Sequence, residues 1–513
     1  MKENKWFITI SWIGVCTLCT ALYTLFFIHT FYHDRYISLS GDAEQYVGSA
    51  EKLYTNFEYS FYRTDDMNFR SNKMIGKPID KGIYYAYRTP GYLFIYMPLR
   101  FLLNQTSTLY AILVLQVLAV SISKYLLARI SQKIAGGTIF AFLTVMLCLN
   151  VMPQFHYLLM SFLTEPWAIS FLVFSMACLF LVKEEKLSSP TILLISGFFM
   201  MIAVMLRPFL VFFPLFLLVW LFFKGVKKMS ILVLFVLPIL FVDTIWSARN
   251  LITAGEFIPL SKTLQIFDYS HEGFNAQRDL CKDLGTSTEW WKPESLIYWF
   301  HHPEDGRPAS EVLPEKFLAV KENRRLMVDA KAAYTLSNDT SVNLEERIRF
   351  EKESARLIKI ANNQFKTTYP LDASVKSRLT VLKTFIEMPL VKPLIGFRYP
   401  INVLTVFAEA FLYWFVVLGG FMAILFYVFV KRSAEGMILS FLPMFMLILF
   451  AFVIRLCEHR ELFIPHFLLA ALASAYVGSV FSMKKLEQKL VWIIPFIPIL
   501  LLAGYTTKRS IVW

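Results

Sequence analysis

The stretch "WFITISWIGVCTLCTALYTLFFIHTFYHDRYISLSGDAEQY", residues 6–46, runs a long apolar segment straight into a pair of acids. A bilayer core of roughly 30 Å needs about 20 apolar residues in a helix, so the first part reads as a membrane span. It is longer than a signal-peptide core and no small-residue cleavage site follows, so the span is read as uncleaved. Cys16 and Cys19 form a C-x-x-C inside it, which reads as two thiols in an apolar span rather than a redox or metal motif. Asp42 and Glu44 then stand just outside the membrane. After them Tyr46, Val47, Ala50, Leu53, Tyr54 and Phe57 recur at the spacing of one helical face. That predicts a helix lying along the membrane surface. Asp42 and Gln45 have capping-box spacing, so the local reading of Asp42 is a helix N-cap, worth about 1 kcal/mol.

The rest of the chain repeats the apolar theme. Of 513 residues 56% are hydrophobic, and the mean hydropathy is +0.52. That excludes an ordinary soluble protein and predicts an all-α polytopic membrane protein. Eleven spans are predicted, at 6–29, 107–129, 134–152, 157–181, 190–206, 208–223, 230–249, 403–430, 436–454, 461–481 and 489–506. The net charge of +13 does not imply nucleic acid, because the basic residues collect in alternate links. "MKENK", "ARISQK", "VKEEK", "KGVKK", "VKRSAEG" and "MKKLEQK" fall on one side, and "NVMPQF", "LRP" and "CEHRE" on the other. By the positive-inside rule the N-terminus is cytoplasmic. Only the terminal "TTKRSIVW" goes against this, since eleven spans place it outside.

Three regions follow. Residues 1–250 form an N-terminal transmembrane module whose first outer loop is 30–106, residues 251–402 an extracytoplasmic insert, and residues 403–513 the C-terminal transmembrane helices. The insert is expected to be mostly helical. Within it Asn343 and Glu346 fit a capping box ahead of a strong helix-forming run. "HHPEDG", residues 301–306, reads as a turn, and Asp65-Asp66 as an ordinary loop.

Ionisable groups within spans are costly and usually functional. Glu165, Arg207, Asp243, Arg249, Glu409 and Arg455 all map to the outer half of the bilayer or its outer edge, which points to one polar cavity opening outward. Lys124 and Arg129 map to the inner half and are expected to snorkel to the cytoplasm. Arg88 precedes the turn signal Pro90-Gly91-Tyr92, and Arg460 stands before the last outward-to-inward span. Guanidinium forks suit phosphate oxygens, and an aspartate can take a proton from an acceptor hydroxyl or amine. One carboxylate and several arginines on the same face are thus the parts needed to move a group off a phosphate.

The order "GDAEQY", "RTPGY", "SFLTEP", "LRP", "ARN…GEFIPLS" and "HRELFIPHF" after a first span resembles the GT-C glycosyltransferases. The similarity is to the bacterial branch with glycosyltransferase family 39 and the lipid A aminoarabinose transferases. It covers most of the membrane part; the insert at about 265–400 matches no named fold. The resemblance implies a GT-C-like bundle in a bacterial inner membrane, with its active site on the outer face. It implies a polyprenyl-phosphate sugar donor, a lipid, glycan or protein acceptor, and transfer with inversion. Asp42 takes the general-base position; many relatives carry two adjacent acids there, so Glu44 is the candidate for the second. Arg88 and Arg460 become donor-phosphate ligands, with Arg207 and Arg249 in support, and Glu165 matches a recurrent cavity acid. No cofactor is implied, no His/Asp cluster predicts a metal, and a divalent ion is left undecided. Two other classes fit the same outline: a transporter or lipid flippase, and a polymerase or ligase of lipid-linked glycans.

Overall fold

A computed structural model of the chain describes residues 3–32, 39, 42–60, 88–261, 272–286, 294–339, 341–386, 401–455, 459–483, 489, 493–494 and 496–511. Asp65 and Asp66 lie outside the described residues. Among the described residues every regular element is a helix. The protein is an all-α polytopic membrane protein.

Among the described residues six helices are long and apolar enough to cross a bilayer by themselves. They are α1 (Glu3–Tyr32), α4 (Gln105–Ile134), α9 (Met229–Ala254), α14 (Val403–Lys431), α15 (Ala434–Ile454) and the segment Arg460–Phe481, whose α-helical part is α16 (Phe463–Phe481). Other predicted runs form shorter or bent helices. The run at 134–152 becomes α5 (Ile139–Val151), which bends by 81° into the short Pro153–Met160 segment. The next three runs become α6 (Glu165–Phe180), α7 (Pro190–Leu206) and, after a 3-10 turn at Pro208–Phe212, α8 (Phe213–Phe223). Prolines at 153, 166 and 208 start new segments where the apolar run continues, because proline cannot extend a preceding helix, and Pro190 opens α7 after the polar link "VKEEK". Sixteen residues rise only about 24 Å, less than the bilayer core. The final helix described is α17 (Phe496–Ile511).

At the centre stands α16, most of it buried against α4, α5, α14 and α15. Its run of Ala470, Ala471, Ala473, Ser474, Ala475 and Gly478 explains this, since small residues let membrane helices approach closely. Around it α6, α7 and α9 form a consecutive side-by-side row, and α1 packs on α4.

Between α1 and α4 the described residues include two helices outside the spans, α2 (Asp42–Asn56) and α3 (Leu93–Arg100). On α2, Tyr46, Val47 and Ala50 face inward as expected. Phe57 does not: the helix stops at Asn56, and Phe57 takes a left-handed conformation with 91% of its surface exposed.

The insert has its own core. It holds α10 (Glu272–Leu284), α11 (Asn323–Asn338) and α12 (Leu344–Thr368), packed around Leu280, Phe300, Phe317, Met327 and Ile358. Asn343 caps α12: the Glu346 amide donates to Asn343 Oδ1 at 3.0 Å, and the Glu346 carboxylate accepts from the Asn343 side chain, Nδ2 at 2.6 Å, rather than from its backbone N–H as a full capping box would. A following helix, α13 (Ser377–Ile386), puts Val381 into the membrane core. His302 and Asp305 close a turn, as "HHPEDG" predicted.

One expectation about charge is overturned. Arg129 is exposed, but Lys124 is fully buried and does not snorkel. Its ammonium lies 2.9 Å from Thr20 Oγ1, 3.4 Å from Asn150 Oδ1 and 3.4 Å from His156 Nε2. A Cα–Cβ bond points toward the helix N-terminus. On α4 that direction leads toward Asn150 at the far end of α5, away from the α4 C-terminus.

Candidate active site

Five charged side chains meet where α2, α6, α7 and the start of α16 converge. Each arrives for a local reason. The "RTPGY" turn rests on the end of α7 through Gly91, where an added Cβ would lie 2.3 Å from the Met205 carbonyl carbon and oxygen. Only glycine allows that approach, and it brings Arg88 beside the residue that follows α7. That residue is Arg207, held in extended backbone because Pro208 disfavours the helical region before it. Glu165 opens α6, where a carboxylate is favoured by the helix dipole. Arg460 sits in the 3-10 turn His459–Leu462 that leads into α16.

The contacts form a continuous chain. Asp42 Oδ1 lies 2.6 Å from Arg88 Nη2, and Asp42 Oδ2 lies 2.7 Å from Arg460 Nη1. Arg460 Nε is 3.8 Å from Glu165 Oε1, and Glu165 pairs in turn with Arg207. Burial pushes the Asp42 carboxyl up, but Arg88, Arg460 and Arg207 outweigh it and hold the group at about 2. Asp42 is therefore ionised at neutral pH. Among the described residues three guanidinium groups face two carboxylates in this chain of contacts.

The cap reading of α2 changes accordingly. Both Asp42 oxygens face arginines, and Gln45 Oε1 accepts from Arg88 Nε and Nη2 at 3.0 and 2.8 Å instead of completing a capping box. Tyr46 adds its hydroxyl at 3.1 Å from Arg88 Nη1 and its ring under the guanidinium at 4.9 Å. Residues two apart on a helix do not share a face, so α2 carries Asp42 into the cluster without setting Glu44, which is half-buried, beside it. Arg249 is not in the cluster either. It lies 4.9 Å over the Trp246 ring and donates to the Tyr59 carbonyl, while the Tyr59 hydroxyl donates to the Thr89 carbonyl at 2.9 Å. Its contacts support the Arg88 turn from behind rather than line the site.

Sequence reasoning missed the brace under this arrangement. The Glu51 carboxylate on α2 accepts from Arg100 Nε and Nη2 at 2.9 and 3.0 Å and from the Tyr96 hydroxyl at 2.5 Å. Arg100 also stacks 4.0 Å above Tyr54. The signal available in the sequence is an acid, Glu51, on the face of α2 next to Tyr54. Beside Glu165, Thr164 Oγ1 and Trp167 Nε1 are buried without a protein partner. Among the described residues no three His, Cys, Asp or Glu side chains converge as metal ligands would.

No family model matches the chain, and neither does any curated protein. Among solved structures it is similar to the archaeal oligosaccharyltransferase AglB from Archaeoglobus fulgidus, solved with an inhibitory peptide and a dolichol-phosphate. The identity is 15% and the TM-score 0.44, over 98% of this chain and 56% of that one. The chain thus spans little more than half the length of that protein.

Proposed function

We propose that the protein is a GT-C-type membrane glycosyltransferase that takes a sugar from a polyprenyl-phosphate donor and passes it to a lipid, glycan or protein acceptor outside the cytoplasm. The observation that carries this reading is Asp42, held between Arg88 and Arg460 in a cluster with Glu165 and Arg207. A phosphodiester donor carries a negative charge that guanidinium forks suit. Its phosphate oxygens would compete for Arg88 and Arg460 and free Asp42 for the acceptor.

In the reaction the acceptor oxygen attacks the anomeric carbon and its proton passes to Asp42. The bond from the anomeric carbon to the phosphate oxygen breaks, and its electron pair leaves with the polyprenyl phosphate. That product carries more charge than the donor, and the three arginines offset the increase as it develops. Attack opposite the leaving phosphate gives inversion. Thr164 and Trp167, with polar atoms lacking protein partners, are suited to contact the sugar or acceptor.

The experiment is Asp42→Asn in cells lacking the native copy, with surface glycans and glycolipids read by mass spectrometry. General-base catalysis is worth about 10²–10⁴-fold, so product formation should fall by that order. Near wild-type product would overturn the base assignment. A transporter reading draws on Lys124, since transporter sites lie near the midplane. Under it, Lys124→Met would abolish translocation of a fluorescent polyprenyl phosphate in liposomes, while Asp42→Asn would not.

A further inference from the structure

The insert touches the membrane bundle at a charged junction close along the chain to Arg460. Span α15 ends at Ile454, and Arg455 follows in a left-handed conformation with φ 58°. Non-glycine residues rarely adopt it, and they hold it only where their surroundings fix it. Here Arg455 Nη2 lies 2.5 Å from Asp283 Oδ1, at the end of α10. The other oxygen, Asp283 Oδ2, receives Lys366 Nζ at 2.6 Å and Asn362 Nδ2 at 2.7 Å, both from α12. The Asp283 side chain is 4% exposed, so these partners compensate a buried charge. Helix α13 packs on the same end of α15. Five residues beyond Arg455 the chain presents Arg460 to Asp42 and Glu165.

We propose that Asp283 is a positioning residue for the active site: by binding Arg455 it makes the insert a strap that fixes the segment carrying Arg460. Arg455 is held by the insert, and Arg460 lies in the turn that leads into α16, most of which is buried. Asp283 touches neither Asp42 nor Glu165 in any contact described above; it acts through Arg455. The inference rests on the glycosyltransferase reading, because it assigns Arg460 to the donor phosphate. It gives the insert a role in the chemistry of the bundle rather than that of a passenger domain.

The test uses the full-length protein in lipid nanodiscs, with two readouts: binding of polyprenyl phosphate itself, and donor KM and kcat measured separately. Asp283→Asn removes the charge from the insert side. Arg455→Gln removes the pair from the membrane side while leaving Asp283 with Lys366 and Asn362, so the insert core is undisturbed. Misplacing a catalytic group by about 1 Å costs on the order of 10²-fold. Both variants should therefore weaken polyprenyl-phosphate binding and raise donor KM by about tenfold or more, with acceptor KM unchanged. Asp283→Glu, which keeps the charge, should recover most of the binding. Wild-type binding in both variants overturns the strap. So does a loss in Asp283→Asn that Asp283→Glu fails to recover. Arg460→Ala separates this failure from that of the functional reading. If Arg460→Ala loses lipid-phosphate binding while Arg455→Gln keeps it, only the strap falls. If Arg460→Ala binds normally, the assignment of the site falls with it.

Discussion

Asp42 combines two properties that pull apart in a general base: it is ionised, as a base must be, and its oxygens are already held by Arg88 and Arg460. A folded value of about 2 against roughly 3.9 in an unfolded chain means that Asp42 stabilises the fold above about pH 4 and loses that contribution as pH falls toward 2. The same value makes it a weak base until the arginines are drawn away. The kcat/KM profile reports the free enzyme and the kcat profile the loaded one. The expected outcome is no acid limb from Asp42 above about pH 4 in kcat/KM, and a limb at distinctly higher pH in kcat. Coincident limbs in steady-state assays would show that the donor does not take over the arginines. At this scale Glu165, Arg207, Arg88 and Arg460 were legible because each stands in a short motif at a predicted outer end of an element. Arg249 stands in one too, but a motif does not say which way its side chain turns, and this one turns to Tyr59. Lys124 was misread because snorkelling was judged from side-chain length alone. Its direction is set by the helix, whose Cβ atoms point back toward the N-terminus.

Elements set where those residues meet. The closest restraint is Gly91, whose Cα faces the Met205 backbone with no room for a methyl group. Backbone at the end of a buried helix cannot yield as a flexible side chain can. Gly91→Ala is therefore expected to lift the "RTPGY" turn off α7 and carry Arg88 away from Asp42. Turnover should fall on the order of 10²-fold, with the bundle still folded by circular dichroism. Gly14→Ala, on an exposed face of α1 with open space around it, is the matched control and should be silent. Equal activity in the two variants would disprove the restraint. The helices themselves divide by the kind of signal they carry. The α2 face and the Asn343 cap were readable, since both depend on spacing within one turn or two. The bounds of α7 and of the Pro208–Phe223 segment were readable too, since they match 190–206 and 208–223; the bend after Val151 and the start of α6 at Glu165 were not, because hydropathy adds up along an apolar run and does not register the prolines that cut it. The Glu51–Arg100 brace was hidden for another reason: its partners are 49 residues apart, and no local pattern links them.

For the whole molecule the open quantity is the number of crossings, and it decides which side of the membrane the site faces. Among the described residues six helices qualify by length, and the bent pair Ile139–Met160 would make a seventh. Helices α6, α7 and α8 are shorter than a bilayer core, yet they are buried in the same apolar core as α4 and α16. A short helix can still cross where the bilayer thins or neighbours shield its ends. Two positions isolate one crossing. Lys227 lies in the exposed link before α9, and Arg325 is exposed on α11 of the insert, with α9 the one full-length span between them. Cysteines placed at 227 and 325 should react with a membrane-impermeant maleimide from opposite sides: 325 in intact cells, 227 only after permeabilisation. Reaction of both from the same side would overturn the assignment of the insert and the site to the outer face. A tag at the N-terminus then tests parity. If α1, α4, the bent pair, α6, α7 and α8 all cross, six passages return the chain to its starting side, and the tag is protected together with 227. If one of the short helices only dips into the membrane, the tag appears with 325 instead. The basic links favour the first outcome, because Lys224, Lys227 and Lys228 then share the cytoplasmic side with Lys2 and Lys5.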